Sequence, residues 1–126
     1  MNEKNSKKKI LIIDDEPSIR NLIADFLKSE SYQVFTAADG TVAIPIVLKE
    51  NPALVFLDLN LAGTNGLDVL KQIKAKSPQT CVIMLSGGQD EEIAKKAIEL
   101  GAFDYLTKPI SLRKLLNEVI DKVFQE

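Results

Sequence analysis

The sequence predicts an α/β fold, a doubly wound five-stranded parallel sheet with helices on both faces. Three observations carry that expectation. Five short apolar runs of four to six residues alternate with longer segments of helical period. A length of 126 residues, 45% of them hydrophobic, with a mean hydropathy of zero, describes one ordinary globular core. No internal repeat, linker or low-complexity segment divides the chain, so residues 9–126 are read as a single domain after a flexible tail over residues 1–8.

The elements follow in chain order. The first strand is KILIID, Lys9 to Asp14. It is followed by a helix whose apolar stripe Ile19, Leu22, Ile23, Phe26 and Leu27 has i, i+3, i+4, i+7, i+8 spacing, with Pro17 placed where a first helical turn accepts it. QVFTA, Gln33 to Ala37, reads as the second strand. The second helix, Thr41 to Glu50, contains Pro45, which removes a backbone donor and is expected to kink or shorten it. The third strand is LVFLD, Leu54 to Asp58, and the fourth is CVIMLS, Cys81 to Ser86, with a third helix implied between them. Asp90, Glu91 and Glu92 open the fourth helix, where the macrodipole favours negative charge, and Gly101 after Leu100 marks its end. DYLT, Asp104 to Thr107, is the fifth strand. The last helix carries Leu112, Leu115, Leu116, Val119, Ile120 and Val123 behind Ser111 as N-cap.

Composition excludes several classes of function. Sixteen Lys and Arg against eighteen Asp and Glu leave a net charge of -2, so no overall basic field invites nucleic acid, and Lys7 to Lys9 read as a solvated tail. ILII is too short for a membrane span or a signal-peptide core, and a cytoplasmic protein is expected. The single cysteine, Cys81, cannot form an internal disulfide and reads as a buried structural thiol. With no histidine, the chain has no imidazole base or ligand, and any chemistry must use carboxylates, hydroxyls or lysine.

In an open parallel sheet, ligands bind outside the carboxyl ends of the strands, where the strand order reverses. The strand ends are therefore the place to look. Strand one ends in Asp14 and Asp15, strand three in Asp58, strand four in Ser86, and strand five runs into Lys108 before Pro109. If strands one and three are neighbours, as in the order 2-1-3-4-5, three carboxylates converge. At an effective dielectric of about 20, two unit charges roughly 4 Å apart repel by about 4 kcal/mol, so the cluster calls for a cation. Oxygen ligands without sulfur or imidazole suit Mg2+, and Lys108 supplies a second positive charge. A carboxylate beside a metal, a lysine and a hydroxyl is equipped for phosphoryl transfer.

Each residue has a plainer reading when taken alone. Asp14 and Asp15 can cap the turn into the first helix, and Ser86 before Gly87 and Gly88 can serve a turn. Lys108 can be a solvated lysine and Tyr105 a half-buried strand aromatic. The two glycines make no P-loop, because no Gly-Lys-Ser/Thr follows them. Only the joint pattern favours the chemistry.

The stretches ILIIDDEPSIR, LVFLDLNLAGTNGLDVL, VIMLSGG and GAFDYLTKPI resemble the receiver domain of bacterial two-component response regulators, in register from about Lys9 to Phe124. The resemblance implies the flavodoxin-like strand order 2-1-3-4-5, known for that family. It implies that Asp58 accepts a phosphoryl group from a phosphohistidine on a sensor histidine kinase or histidine phosphotransfer protein. Asp15, Asp58 and the backbone carbonyl of Asn60 would hold Mg2+, with Asp14 assisting through water. Lys108 and Ser86 would contact the phosphoryl oxygens, Tyr105 would be the aromatic whose rotamer follows the switch, and the Lys108-Pro109 bond would be cis. The signal would be a population shift altering a face formed by the fourth helix, fifth strand and fifth helix.

The chain departs from the family pattern in places. It has Ala62 where proline is common, and Thr64, Asn65 and Gly66 where Met-Asp-Gly is common, which implies a looser loop after Asp58. Glu118 stands near a position on the last helix where the winged-helix transcription-factor subfamily tends to carry arginine, which counts against that subfamily's dimer contact, although a phosphorylation-dependent dimer stays among the partners the resemblance implies. Beyond Glu126 the sequence shows no output domain, and the expected partner is either a downstream effector protein or an output domain of a longer regulator. Two other classes compete with this reading. A Mg2+-dependent aspartyl phosphohydrolase would need a second aspartate two residues after the first, where this chain has Asn60. A phosphorylation-independent interaction module would not need the acids and Lys108 together.

Overall fold

The computed structural model describes residues 5–61, 63–88 and 90–124. Residues 1–4 of the expected tail and Ala62 lie outside these, as does the side chain of Leu116. The order is β1 (Lys9–Ile13), α1 (Pro17–Ser29), β2 (Gln33–Ala37), α2 (Gly40–Glu50), β3 (Leu54–Asp58), a two-residue pair β4 (Asn60–Leu61) and β5 (Thr64–Asn65), α3 (Gly66–Lys76), β6 (Cys81–Ser86), α4 (Glu91–Glu99) and β7 (Asp104–Thr107). The last helix joins α5 (Leu112–Lys114), a π-helical stretch Leu115–Ile120 and α6 (Asp121–Val123).

β1, β3 and β6 run through the middle of a five-stranded sheet of order β2-β1-β3-β6-β7, parallel at every pairing. Counting only these five strands, the order is 2-1-3-4-5, the flavodoxin-like arrangement. A strand covered on both faces must be apolar at every position, and alternation then decides which layer each side chain enters. Ile10, Ile12, Leu54, Phe56, Ile83 and Leu85 pack against Ile23, Ala24 and Leu27 of α1 and Leu115, Val119 and Ile120 of the last helix. Leu11, Ile13, Val55, Leu57, Val82 and Met84 face Ala43 and Val47 of α2, Val69, Leu70 and Ile73 of α3, and Ala97 of α4. Each fully buried Leu, Ile or Phe contributes about 1.5–3 kcal/mol relative to exposure.

Four expectations differ from what the structure shows. Pro45 does not shorten α2, which runs from Gly40 to Glu50. The bond lost is to the Thr41 carbonyl on an exposed stretch that water reaches, while the Asp39 cap and buried Ala43 and Val47 hold the helix. The last helix keeps its apolar stripe but widens to a π-helix over Leu115–Ile120. The lysine-bearing segment before β1 is tied down in its described part: Asn5 is buried and donates to the Glu30 carbonyl at 2.7 Å, and Lys8 lies 4.7 Å from the Phe124 ring centre. Phe124 in turn stacks on Tyr32. Cys81 is only half-buried, because it opens its strand at the end of the sheet bordered by Val123 and Phe124.

Candidate functional site

The carboxyl ends of β1, β3 and β7 bring Asp14, Asp58 and Lys108 together. Asp14 follows β1 directly and is fully buried, its backbone N–H donating to the Ala37 carbonyl at 3.1 Å. Its carboxylate is shared between two donors, with Oδ1 accepting the Glu16 backbone N–H at 2.9 Å and Oδ2 accepting Lys108 Nζ at 2.9 Å. Arg20 donates to the Asp14 carbonyl at 2.8 Å. A buried carboxylate with such partners is tolerated; one without them would be expensive.

Asp58 ends β3 and is 3% exposed. Its Oδ1 accepts the Asn60 backbone N–H at 3.2 Å, and its Oδ2 lies 3.4 Å from Lys108 Nζ. Burial first, and then the charge of Asp14, push the Asp58 carboxyl up to about 6; the Asn60 hydrogen bond and Lys108 oppose this without cancelling it. For Lys108, burial is the largest single influence and favours the neutral amine. Its hydrogen bond and attraction to Asp14, together with Asp58, outweigh that and hold the ammonium above its ordinary range.

The position of the lysine is set by the backbone. Lys108 N–H donates to the Ser86 carbonyl at 2.7 Å, extending the β6–β7 ladder one step past Thr107, and the Lys108-Pro109 peptide bond is cis.

The loop after Asp58 is held rather than loose. β4 pairs with β5 antiparallel, Asn60 opposite Asn65 and Leu61 opposite Thr64. Asn65 caps α3 by accepting the Leu67 N–H at 2.8 Å, and the Gly66 N–H donates to the Leu59 carbonyl at 2.8 Å. Gly66 approaches this loop so closely that a Cβ would lie 2.5 Å from the Asp58 carbonyl oxygen and 2.7 Å from Leu59 Cα. Glycine is required there by space. At Thr64, Asn65 and Gly66 the departures from the family's loop sequence are thus accommodated by pairing and capping that use the residues present, while Ala62 lies outside the described residues.

Not every residue singled out in the sequence enters the cluster. The carboxylates whose oxygens come within 4.8 Å of one another, among the described residues, are Asp14, Glu16 and Asp58. Asp15 instead lines an adjoining pocket with Leu59, Asn60, Leu61, Thr64, Asn65, Leu67 and Ile93. Ser86 is buried, but its hydroxyl is engaged in a turn, donating to the Gly88 carbonyl at 2.9 Å and accepting the Gly88 N–H at 3.2 Å. Tyr105 is half-buried in a separate groove with Ile110, Lys114 and Leu115, and its buried hydroxyl has no hydrogen-bond partner among the described residues.

Glu16 joins the cluster from just past the strand end, a place that strand-end position does not single out. Its Oε1 lies 3.6 Å from Lys108 Nζ, and its side chain is 58% exposed. The run Asp14-Asp15-Glu16 was visible as three acids, but which of them face one another depends on how the chain turns into α1. The donor set is all carboxylate oxygen, with no sulfur or imidazole, which fits a hard divalent cation. In fully ionised form three carboxylates against one ammonium leave two negative charges.

Comparison with known proteins agrees with this architecture. The family model described as the response regulator receiver domain matches residues 10–120. A CheY-like receiver domain protein from Methanospirillum hungatei is 28% identical with a TM-score of 0.87, over 92% of this chain and 93% of its own. The receiver domain of NtrX from Brucella abortus is 38% identical with a TM-score of 0.85, over 90% of this chain and 96% of its own. A response regulator from Burkholderia pseudomallei, solved with a phosphorylated aspartic acid, a calcium ion and citrate, is 27% identical with a TM-score of 0.82; the match covers 86% of this chain and 64% of that one. No helix among the described residues is long and apolar enough to cross a membrane. With its acids and its lysine gathered at one end of a parallel sheet, and matched by the family model across most of its length, the chain belongs to the response regulator receiver domain family.

Proposed function

We propose that the chain is a cytoplasmic phosphoacceptor switch in which Asp58 takes a phosphoryl group from the phosphohistidine of a sensor histidine kinase or a histidine phosphotransfer protein, in a Mg2+-dependent reaction. The observation that carries the reading is a buried aspartate at a strand end, flanked by Lys108 at 3.4 Å and by a second buried carboxylate. A carboxyl raised to about 6 is ionised at neutral pH yet more basic than an ordinary aspartate, which suits a nucleophile. The Burkholderia pseudomallei neighbour, carrying a phosphorylated aspartic acid, supports the same chemistry here.

In the proposed step an Asp58 oxygen attacks phosphorus. A P–O bond forms as the P–N bond of the phosphohistidine breaks, and its electron pair returns to the imidazole nitrogen, which takes a proton from solvent. Mg2+, when bound, offsets the negative charge of the carboxylates and the phosphoryl oxygens. Asp15, Asp58 and the Asn60 carbonyl are the proposed ligands, with Asp14 acting through water. Lys108 turns its ammonium toward the phosphoryl group, and Ser86 does the same by giving up its turn with Gly88. The unpartnered Tyr105 hydroxyl suits an aromatic that changes place when the switch is thrown. The changed face of α4, β7 and the last helix then engages an effector protein or output domain, without direct contact with nucleic acid or membrane.

Intact mass after incubation with acetyl phosphate tests the reading. Wild type is expected to gain one phosphoryl group only with Mg2+, and Asp58→Asn none; an unchanged gain in Asp58→Asn would move the site elsewhere.

A further inference from the structure

We propose that Glu16 is a positioning residue that sets the threshold of the switch by competing with the phosphoryl group for Lys108. The inference rests on the phosphoacceptor reading above and extends it to a residue that reading does not use.

Lys108 carries three N–H donors and faces three carboxylates, at 2.9 Å from Asp14, 3.4 Å from Asp58 and 3.6 Å from Glu16. These contacts are not equivalent. Asp14 is fully buried, and its Oδ1 is already fixed by the Glu16 backbone N–H, so its bond to Lys108 cannot be given up cheaply. Asp58 is the acceptor itself. Glu16 alone reaches in from solvent, its side chain 58% exposed, so it can release the ammonium and be hydrated at small cost.

Phosphorylation replaces the single charge of the Asp58 carboxylate with about two on the phosphoryl oxygens, a net gain of about one, in a pocket where Glu16 already lies within 4.8 Å of the Asp58 carboxylate. Glu16 then acts twice against that state, by repelling the new charge and by holding the ammonium the new charge needs. Toward a bare divalent cation its sign reverses, because a further carboxylate attracts the metal. The same side chain therefore has opposite effects on the two ligands. Loss of a structural contact would weaken both.

The test uses Glu16→Gln, with Asp25→Asn as a one-charge control on the exposed face of α1, about 13 Å further along the helix. Calorimetry measures Mg2+ alone, and then beryllofluoride, as a phosphoryl mimic, at saturating Mg2+. Glu16→Gln should bind Mg2+ roughly two- to five-fold more weakly and beryllofluoride roughly two- to five-fold more tightly than wild type. Asp25→Asn should match wild type in both. Raising the salt from 50 to 500 mM should shrink both differences, since the carboxylate is exposed. Beryllofluoride binding that is unchanged or weaker in Glu16→Gln would overturn the inference, as would differences undiminished by salt or reproduced by Asp25→Asn. If wild type takes no beryllofluoride in Mg2+ while remaining folded, the phosphoacceptor reading itself falls.

Discussion

Replacing Asp58 with asparagine should stabilise the metal-free protein, and the gain should depend on pH in a defined way. The Asp58 carboxyl sits at about 6 in the folded protein against an ordinary value of 3.8, which corresponds to about 3 kcal/mol of native-state penalty once the group is ionised. The folded state binds the extra proton between those two values. The Asp58 contribution to the stability of wild type in EDTA should therefore be fully present at and below about pH 4 and should be lost as pH rises toward 6.5, by up to that amount. Asparagine has no such titration. It keeps an acceptor for the Asn60 N–H, removes the repulsion with Asp14, and leaves Lys108 its 2.9 Å bond to Asp14, while losing the attraction to Lys108 at 3.4 Å. The net gain for Asp58→Asn is expected at about 1–3 kcal/mol at pH 7.5, shrinking toward zero near pH 4. Mg2+ at ten times its dissociation constant for wild type would restore about 1.4 kcal/mol to wild type alone. Urea melts of both proteins at pH 4, 5, 6 and 7.5, with EDTA or Mg2+, measure all of this. A variant less stable than wild type at pH 7.5 in EDTA, or a gap that does not change between pH 4 and 7, would refute the electrostatic account of the site.

Other substitutions probe the neighbouring contacts. Lys108→Met should cost about 3 kcal/mol or more in EDTA at pH 7.5, because it strands buried Asp14 beside Asp58; denaturant melts with and without Mg2+ should show part of that loss recovered by the metal. Gly66→Ala should destabilise by about 2 kcal/mol or more and weaken Mg2+ binding with it, since its Cβ would strike the backbone that carries Asp58; a variant with wild-type melting and calorimetry would show that the loop yields freely. Above pH 10.5 the wild type should lose the stability held by Lys108, whose ammonium is favoured in the folded state. A high-pH melt series should lose this limb in Lys108→Met.

Most of the fold was legible because each strand in the middle of the sheet is buried on both faces. KILII, LVFLD and CVIMLS could not be mistaken for amphipathic cover, and their observed bounds differ from the expected ones only at Asp14, which leaves the ladder to enter the site. The α2 helix was harder. Local propensity registers the cost of Pro45, whereas the helix survives on an N-cap at Asp39 and on Ala43 and Val47 packing against the sheet, a tertiary contribution that local pattern does not display. The π-helical stretch was invisible for a different reason. Leu112, Leu115, Val119, Ile120 and Val123 satisfy an α-helical stripe, and a widened stretch that takes in Leu115, Val119 and Ile120 leaves the same side chains on the same face.

The site was legible in its chemistry and less so in its pairing. Strand-end position brought out Asp14, Asp58 and Lys108, because the pleat fixes where a strand's last residue emerges, and these three are the groups in direct contact. Residues one or two steps further on escape that control: Asp15 goes to the adjoining pocket and Glu16 to the cluster, a choice made by the turn that Asp14 Oδ1 closes on the Glu16 N–H. The convergence of carboxylates calls for a cation, and the folded chain already supplies one in Lys108. That ammonium neutralises one charge of three, so the demand is lowered but not met. The remainder is what a divalent ion in the proposed reaction would offset. The phosphoryl group in turn needs Lys108 released by Glu16, the exposed one of its partners. In that reading, the metal makes the switch possible because its charge takes over from a lysine that the acids would otherwise keep.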